Sequence, residues 1–225
     1  MNILPRIPKA VVFDMDGLLL DTERLYREAF MATLVERELD MPLPVFLSLI
    51  GLPQVSSHAI LRGHFGEAFA LDDLLGEVRT RFRASVETDL RLKPGVVELL
   101  DLLDEEKLPR AIATSSAHEA VEHHLGALRM RDRFDAVVAR GDYARGKPDP
   151  EPFQMAAAAL GVAAGDCLGL EDSAAGVTAA SGAGMMTIMV PDLIEPTDAL
   201  RALAVHVASD LHEVRGIVAA TLAAS

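Results

Sequence analysis

The sequence has few of the residues that stabilise small secreted domains. It contains one cysteine, Cys167, and no tryptophan among 225 residues. A single cysteine excludes an intramolecular disulfide, and folds without disulfides are typical of reducing compartments. Residues 1–14 contain two prolines and a lysine where a secretory signal would need an apolar core. We therefore expect a cytoplasmic protein.

Basic residues are also scarce, since 21 Lys and Arg stand against 34 Asp and Glu for a net charge of −13. An acidic chain repels phosphate backbones, so we do not expect a nucleic-acid partner. One uncharged stretch, residues 173–191, approaches the roughly 20 residues of a membrane helix. Because Gly176, Gly182 and Gly184 interrupt it, we predict a helix, a turn and a short strand there. No membrane partner is expected.

Short apolar runs that are rich in β-branched residues recur along the chain. The first is Ala10–Phe13. Similar runs lie at residues 110–114, 136–139, 167–170 and 185–190. Continuous rather than alternating hydrophobicity is typical of strands buried on both faces of a parallel sheet. Helix-like stretches separate these runs, so we predict an α/β fold with a Rossmann-like parallel sheet.

One region breaks this alternation of strands and helices. Residues 22–91 contain amphipathic, helix-like patterns and prolines but no strand-like run. We predict that these residues form an inserted α-helical domain. The α/β core domain would then comprise residues 1–21 and 92–225.

Polar residues gather at the predicted carboxyl ends of the strands, where open parallel sheets bind their ligands. The residues concerned are Asp14, Asp16, Thr114, Ser115, Lys147, Glu171 and Asp172. Two carboxylates about 4 Å apart repel by about 4 kcal/mol at an effective dielectric near 20, so such a cluster needs a cation. Oxygen donors suit Mg²⁺, while a lysine, hydroxyls and helix N-termini suit a phosphate. The pattern predicts a magnesium-dependent phosphate site.

Four segments in order resemble the motifs of the haloacid dehalogenase-like (HAD) superfamily, in the subgroup with a helical cap after the first motif. They are residues 11–22 (VVFDMDGLLLDT), 112–115 (IATS), 146–150 (GKPDP) and 169–173 (GLEDS). With the helical region, they cover nearly the whole chain. The resemblance implies a HAD core whose inserted domain, residues 22–91, is the cap.

The resemblance also implies catalytic roles. Asp14 would be the nucleophile that forms an aspartyl-phosphate, and Asp16 would be the general acid and base. Thr114, Ser115 and Lys147 would bind the phosphoryl group of the substrate. Dehalogenases of this superfamily lack the second aspartate of the first motif, so Asp16 indicates phosphoryl transfer.

The implied metal site uses the same edge of the sheet. Asp172 would ligate Mg²⁺ together with the Asp14 side chain and the backbone carbonyl of Asp16. Glu171 would be a further ligand or would accept hydrogen bonds around the metal.

Three functions remain open from the sequence. The favoured one is a phosphatase for a small phosphorylated metabolite, similar to the pseudouridine 5′-phosphatase group. The second is a mutase resembling β-phosphoglucomutase, in which a histidine twelve residues after the nucleophile gates Asp16; that position is Tyr26 here. The third is a binding protein without turnover. The pattern specifies neither the substrate nor the oligomeric state, and among Arg79, Arg81 and Arg83 at most two could face the site.

Overall fold

The computed structural model describes residues 4–49 and 54–224. The chain divides into two compact units. The first, here called the core unit, comprises Met1–Leu20 and Arg91–Ser225, and the second, here called the helical unit, comprises Asp21–Leu90. The independence of these units as domains stays a prediction.

The described residues contain ten α-helices and six strands. The helices are α1 (Thr22–Glu36), α2 (Leu43–Leu47), α3 (Gln54–Phe65), α4 (Leu71–Asp89), α5 (Val96–Glu105), α6 (His118–Ala127), α7 (Glu151–Ala159), α8 (Ala174–Gly182), α9 (Asp198–Leu203) and α10 (Leu211–Ala223). The strands are β1 (Ala10–Phe13), β2 (Arg110–Ala117), β3 (Ala136–Arg140), β4 (Cys167–Glu171), β5 (Met186–Met189) and β6 (His206–Val207).

The strands form one parallel sheet in the order β3-β2-β1-β4-β5-β6. This is the strand order of doubly wound, Rossmann-like sheets, and it confirms the predicted fold class. Strand β6 was not predicted, because two residues are too short to carry a hydrophobic pattern.

The two central strands bring their carboxyl ends together. Every residue of β1 and β4 is buried, as expected for strands with helices on both faces of the sheet. The ladder continues one residue past β1, where the Asp14 amide donates to the Leu170 carbonyl at 3.0 Å. Asp14 and Glu171 are therefore neighbours at the edge of the sheet.

The helical unit has its own apolar core. Helix α1 buries Leu25, Ala29, Phe30 and Leu34 at intervals of one turn. Three of them, Ala29, Phe30 and Leu34, share a cluster with buried residues of α4, including Leu74. The described residues of this unit, 21–49 and 54–90, form helices and loops but no strand, as the sequence predicted for this region.

The uncharged stretch at residues 173–191 forms α8, a turn and β5. Gly184 adopts a φ of 84° in the turn, a left-handed conformation that glycine adopts at little cost. Among the described residues, no helix combines the length and the apolar character that crossing a membrane requires.

Candidate active site

A buried lysine joins two carboxylates at the edge where β1 and β4 end. Lys147 lies in the loop between β3 and α7, and its Nζ contacts Oδ1 of Asp14. The same Nζ donates to Oε1 of Glu171 at 2.6 Å. The ring centroid of Phe153 lies 4.9 Å from the ammonium, a distance at which an aromatic face stabilises a cation. Three of the predicted site residues thus meet in one buried cluster.

The charges of this cluster shift each other's protonation. Burial raises the pKa of Asp14 to about 7, against the opposing effect of Lys147, with further contributions from Glu171 and Asp16. For Lys147, burial acts against the charged form, but the Asp14 and Glu171 carboxylates outweigh it and raise the lysine pKa. The lysine is therefore held as an ammonium between two buried carboxylates, and the site attracts further positive charge.

Glu171 is locked in place on both sides of its carboxylate. Its side chain is wholly buried, and Oε2 accepts hydrogen bonds from the backbone N–H and the hydroxyl of Ser173, each at 3.0 Å. The Ser173 hydroxyl also caps α8 by accepting from the amide of Gly176 at 3.0 Å. A Cβ on Gly176 would lie 1.6 Å from Oε1 of Glu171. Only glycine fits there, because the carboxylate occupies the space of a side chain.

Three carboxylates are placed to share a cation. Asp14, Glu171 and Asp172 each offer an oxygen, and these oxygens lie within 4.8 Å of one another. A set of oxygen donors suits a hard divalent ion such as Mg²⁺. The carboxylate of Asp16, the fourth predicted metal residue, is not part of this group. The donor chemistry therefore fits the metal that the sequence predicts.

Asp16 makes a different contact. Its Oδ2 accepts a hydrogen bond from the hydroxyl of Ser116 at 2.7 Å. The Ser116 amide in turn donates to Oγ1 of Thr114 at 3.0 Å, and the Tyr143 hydroxyl donates to the Thr114 carbonyl at 3.1 Å. The side chain of Thr114 is buried, whereas Ser115 is exposed.

Sequence reasoning did not assign Ser116 or Tyr143 to the site. The available signal for Ser116 was its place beside Thr114 and Ser115 at the end of a predicted strand. No comparable signal existed for Tyr143, which is 29 residues from Thr114 in the chain.

Tyr26, in the helical unit, packs among aromatic residues. Its ring centroid lies 6.2 Å from that of Phe30 and 5.8 Å from that of Phe82. Burial raises the pKa of the Tyr26 hydroxyl, Glu23 adds to the shift and Arg79 opposes it. The phenol is therefore held neutral and carries no charge at physiological pH.

The core unit thus contains a Rossmann-like sheet, and buried carboxylates surround a lysine at the carboxyl ends of its strands. Buried, interacting charges of this kind are typical of enzyme active sites. The family model described as haloacid dehalogenase-like hydrolase matches residues 11–190. The chain belongs to this family and is an enzyme of the hydrolase class. The resemblance drawn from the four sequence motifs is confirmed.

Comparisons with individual proteins agree with this family. The chain is 38% identical over 192 residues to a Drosophila melanogaster protein named "probable pseudouridine-5′-phosphatase", covering 80% of each chain. It is 30% identical over 180 residues to the phosphorylated carbohydrates phosphatase of Thermotoga maritima, covering 80% of this chain and 83% of the other. Among solved structures, a HAD family hydrolase from Deinococcus radiodurans with bound phosphate and sodium matches with a TM-score of 0.80 and 26% identity, covering 95% and 96% of the two chains.

Proposed function

We propose that this chain is a Mg²⁺-dependent phosphatase that hydrolyses a small phosphate monoester through an aspartyl-phosphate on Asp14. One observation carries the proposal: the buried carboxylate of Asp14 contacts Lys147 within a group of carboxylates that suits a divalent cation. The names of the two phosphatase relatives and the phosphate in the related structure support it.

In the first half-reaction, a carboxylate oxygen of Asp14 attacks the phosphorus of the substrate. The bond from phosphorus to the leaving oxygen breaks, and Asp16 gives that oxygen its proton, so that an alcohol departs. Thr114, Ser115 and Lys147 would bind the non-bridging oxygens of the phosphoryl group, whose negative charge the lysine balances. A carboxylate nucleophile divides a difficult hydrolysis into two easier steps.

In the second half-reaction, Asp16 acts as a base. Its carboxylate takes a proton from a water molecule while the water oxygen attacks the phosphorus. The bond between Asp14 and phosphorus breaks, its electron pair returns to the Asp14 carboxylate, and inorganic phosphate leaves. One residue serves as acid and then as base, so each turnover restores the starting protonation.

Asp14, Asp172 and the backbone carbonyl of Asp16 would hold the metal. When bound, Mg²⁺ supplies positive charge next to the transferring phosphoryl group. The bonds of Glu171 to Lys147 and Ser173 use both of its carboxylate oxygens, which favours Glu171 as an outer group that orients the cluster. A direct Glu171 ligand remains the alternative within this proposal.

Water, rather than a second hydroxyl of a sugar, would accept the phosphoryl group. The mutase alternative needs a gating residue that protects the phosphoenzyme from water, and Tyr26 stands at that position of the sequence. A partly buried, neutral phenol cannot exchange a proton near pH 7 as an imidazole does. The alternative of a binding protein without turnover is disfavoured, because every catalytic position of the resembled motifs is filled.

The test measures release of inorganic phosphate from 4-nitrophenyl phosphate and from a panel of phosphorylated sugars, nucleosides and short acids. We expect turnover with Mg²⁺, none after chelation with EDTA, and poor recovery with Ca²⁺, whose larger and looser shell fits the transferring group badly. The isosteric variant Asp14→Asn should lose at least about 10³-fold in kcat, since it removes the nucleophile. Full activity after exhaustive chelation, or a tenth of wild-type activity in the variant, would contradict the mechanism.

The acceptor is tested separately. The enzyme is incubated with β-glucose 1-phosphate and Mg²⁺, with and without glucose 1,6-bisphosphate, and glucose 6-phosphate and free phosphate are followed. A phosphatase releases free phosphate without the bisphosphate. Faster formation of glucose 6-phosphate that depends on the bisphosphate would instead identify a mutase.

A further inference from the structure

We propose that Ser116 is a positioning residue, which acts through Asp16 and selects the carboxylate oxygen that carries the transferred proton. This inference rests on the proposed function, because Asp16 is taken as its acid and base. Ser116 lies one residue beyond the resembled segment at residues 112–115 and has no role in the two half-reactions proposed for Asp14 and Asp16.

The contact itself is direct. The Ser116 hydroxyl lies 2.7 Å from Oδ2 of Asp16, across 100 residues of sequence. Asp16 belongs to the loop that follows β1, where Gly17 adopts a φ of 85°, and both side chains are half-buried. An aspartate in a loop can take several rotamers, and a hydrogen bond from a fixed hydroxyl selects one of them.

The backbone of β2 fixes the position of the hydroxyl. The pairing of β2 with β3 changes register between Ala113 and Ala117, and such irregularities redirect side chains at functional sites. The displaced segment is secured twice: by the Ser116 amide on Thr114 Oγ1 at 3.0 Å and by the Tyr143 hydroxyl on the Thr114 carbonyl at 3.1 Å. These two hydrogen bonds therefore hold the end of β2 in the position from which Ser116 contacts Asp16.

The two oxygens of the Asp16 carboxylate have different roles in this proposal: one accepts the hydrogen bond from Ser116, and the other transfers the proton. Because Ser116 donates to Oδ2, the transferred proton resides on Oδ1. Oδ1 then gives its proton to the leaving oxygen in the first half-reaction and takes one from water in the second. Without the hydroxyl, Asp16 keeps its place in the chain but loses the hydrogen bond that orients Oδ1 toward the reacting groups.

Leaving groups of different acidity separate this role from a general structural one. Phenol has a pKa near 10, like the tyrosine side chain, so its departure as phenoxide needs a proton from the enzyme. 4-Nitrophenol is far more acidic and departs readily without one. The two phosphate esters share one ring and differ by one substituent, and kcat/KM for each reports the half-reaction in which the leaving group departs.

The experiment compares Ser116→Ala, Ser116→Thr and wild type on phenyl phosphate and 4-nitrophenyl phosphate with saturating Mg²⁺. For Ser116→Ala, we expect kcat/KM to fall about 10- to 100-fold on phenyl phosphate and less than about 3-fold on 4-nitrophenyl phosphate, a part of the 10²–10⁴ that an acid or base contributes. Ser116→Thr keeps the hydroxyl and should restore most of the activity on phenyl phosphate.

Ser209→Ala is the matched control. The Ser209 hydroxyl also donates to a carboxylate of the core unit, Oε2 of Glu213 at 2.9 Å, but at the start of α10. This variant should leave both values of kcat/KM unchanged. Equal losses on the two esters in Ser116→Ala, or no recovery in Ser116→Thr, would overturn the positioning role. Absence of turnover in the wild type would overturn the proposed function itself, which is a distinguishable failure.

Discussion

The two units of the chain contain ion pairs of nearly equal length in very different surroundings. In the core unit, the Lys147 side chain is 5% exposed and lies 2.6 Å from the carboxylate of Glu171, which is 0% exposed. In the helical unit, the Arg37 side chain is 24% exposed and lies 2.7 Å from the carboxylate of Glu77, which is 56% exposed. Distance alone would rank these pairs as equals.

Burial separates their energetic consequences. Water screens the exposed pair, and ordering two long side chains costs entropy, so such pairs contribute little to stability. Buried charges lose their hydration, and removal of one partner leaves the other without compensation. The costly pair of this comparison thus lies in the core unit, where we propose the chemistry, whereas solvent reaches both charges of the Arg37–Glu77 pair.

Lys147→Met removes the cation of the buried pair, and we expect it to have the largest effect of the substitutions considered. The variant leaves Asp14 and Glu171 buried without their ammonium, and we expect the free energy of unfolding to fall by about 3–5 kcal/mol at pH 7. Phosphatase activity should be lost as well. Denaturant unfolding in EDTA gives the stability without compensation from a metal ion. A loss below 1 kcal/mol would show that the buried and exposed pairs are equivalent after all.

Gly176→Ala tests how tightly the buried cluster is fixed. The new Cβ would lie 1.6 Å from Oε1 of Glu171, so the carboxylate or α8 must move. We expect a loss of about 1–3 kcal/mol, typical of overpacking, and at least a tenfold loss of activity as Glu171 shifts away from Lys147. Thermal unfolding and phosphate release measure the two effects.

Gly216→Ala is the control for this substitution. Gly216 is exposed in α10, and a Cβ there would meet no atom within 4 Å. Alanine should stabilise the helix by about 0.5–1 kcal/mol and leave activity unchanged. If both glycine variants had the same stability and activity, the tight packing of Gly176 against Glu171 would be contradicted.

The sequence predicted that Asp14 and Glu171 lie together, but not the contacts that orient the carboxylates of the site. Ala10–Phe13 and the run before Glu171 predicted two buried strands, and parallel pairing places Asp14 and Glu171 at one edge. The hydrogen bond from Ser116 to Asp16 and the fit of Gly176 on Glu171 depend on a register shift and on side-chain rotamers. Hydrophobic periodicity predicts neither of these, because it indicates which face of a strand or helix is buried but not the register or the side-chain rotamers.

Glu213→Gln should have an intermediate effect at the surface of the core unit. The carboxylate accepts from the Ser209 amide at 2.8 Å and contacts Nε2 of His206 at 2.6 Å. The hydrogen bond from the backbone amide of Ser209 lowers the pKa of Glu213 to about 2 from its usual 4.5, and the contact with His206 adds to this shift. The side chain is partly exposed, so solvent screening limits its contribution, and we expect a loss of about 1 kcal/mol at pH 7.

The pH dependence of this variant has a definite sign. A lowered pKa means that the ionised carboxylate stabilises the folded state above pH 4.5, and that this stabilisation is lost as the pH falls from 4.5 toward 2. Glutamine resembles the protonated acid at every pH. The difference in stability between wild type and variant should therefore shrink as the pH falls below 4.5. A difference that grew below pH 4.5 would contradict the assignment.

Arg37→Met in the helical unit is expected to change least. Arg37 holds both oxygens of Glu77, and this contact lowers the pKa of Glu77, yet both groups lie at the surface. When the guanidinium is removed, water takes its place at the carboxylate, so the melting temperature should shift by less than about 2 °C. The substitution matches Lys147→Met, since each replaces a paired cation by methionine. Calorimetry on the two variants therefore compares the loss of thermal stability at a buried pair with that at an exposed pair. A shift in Arg37→Met as large as that in Lys147→Met would mean that pair geometry, not burial, decides the cost of losing the cation.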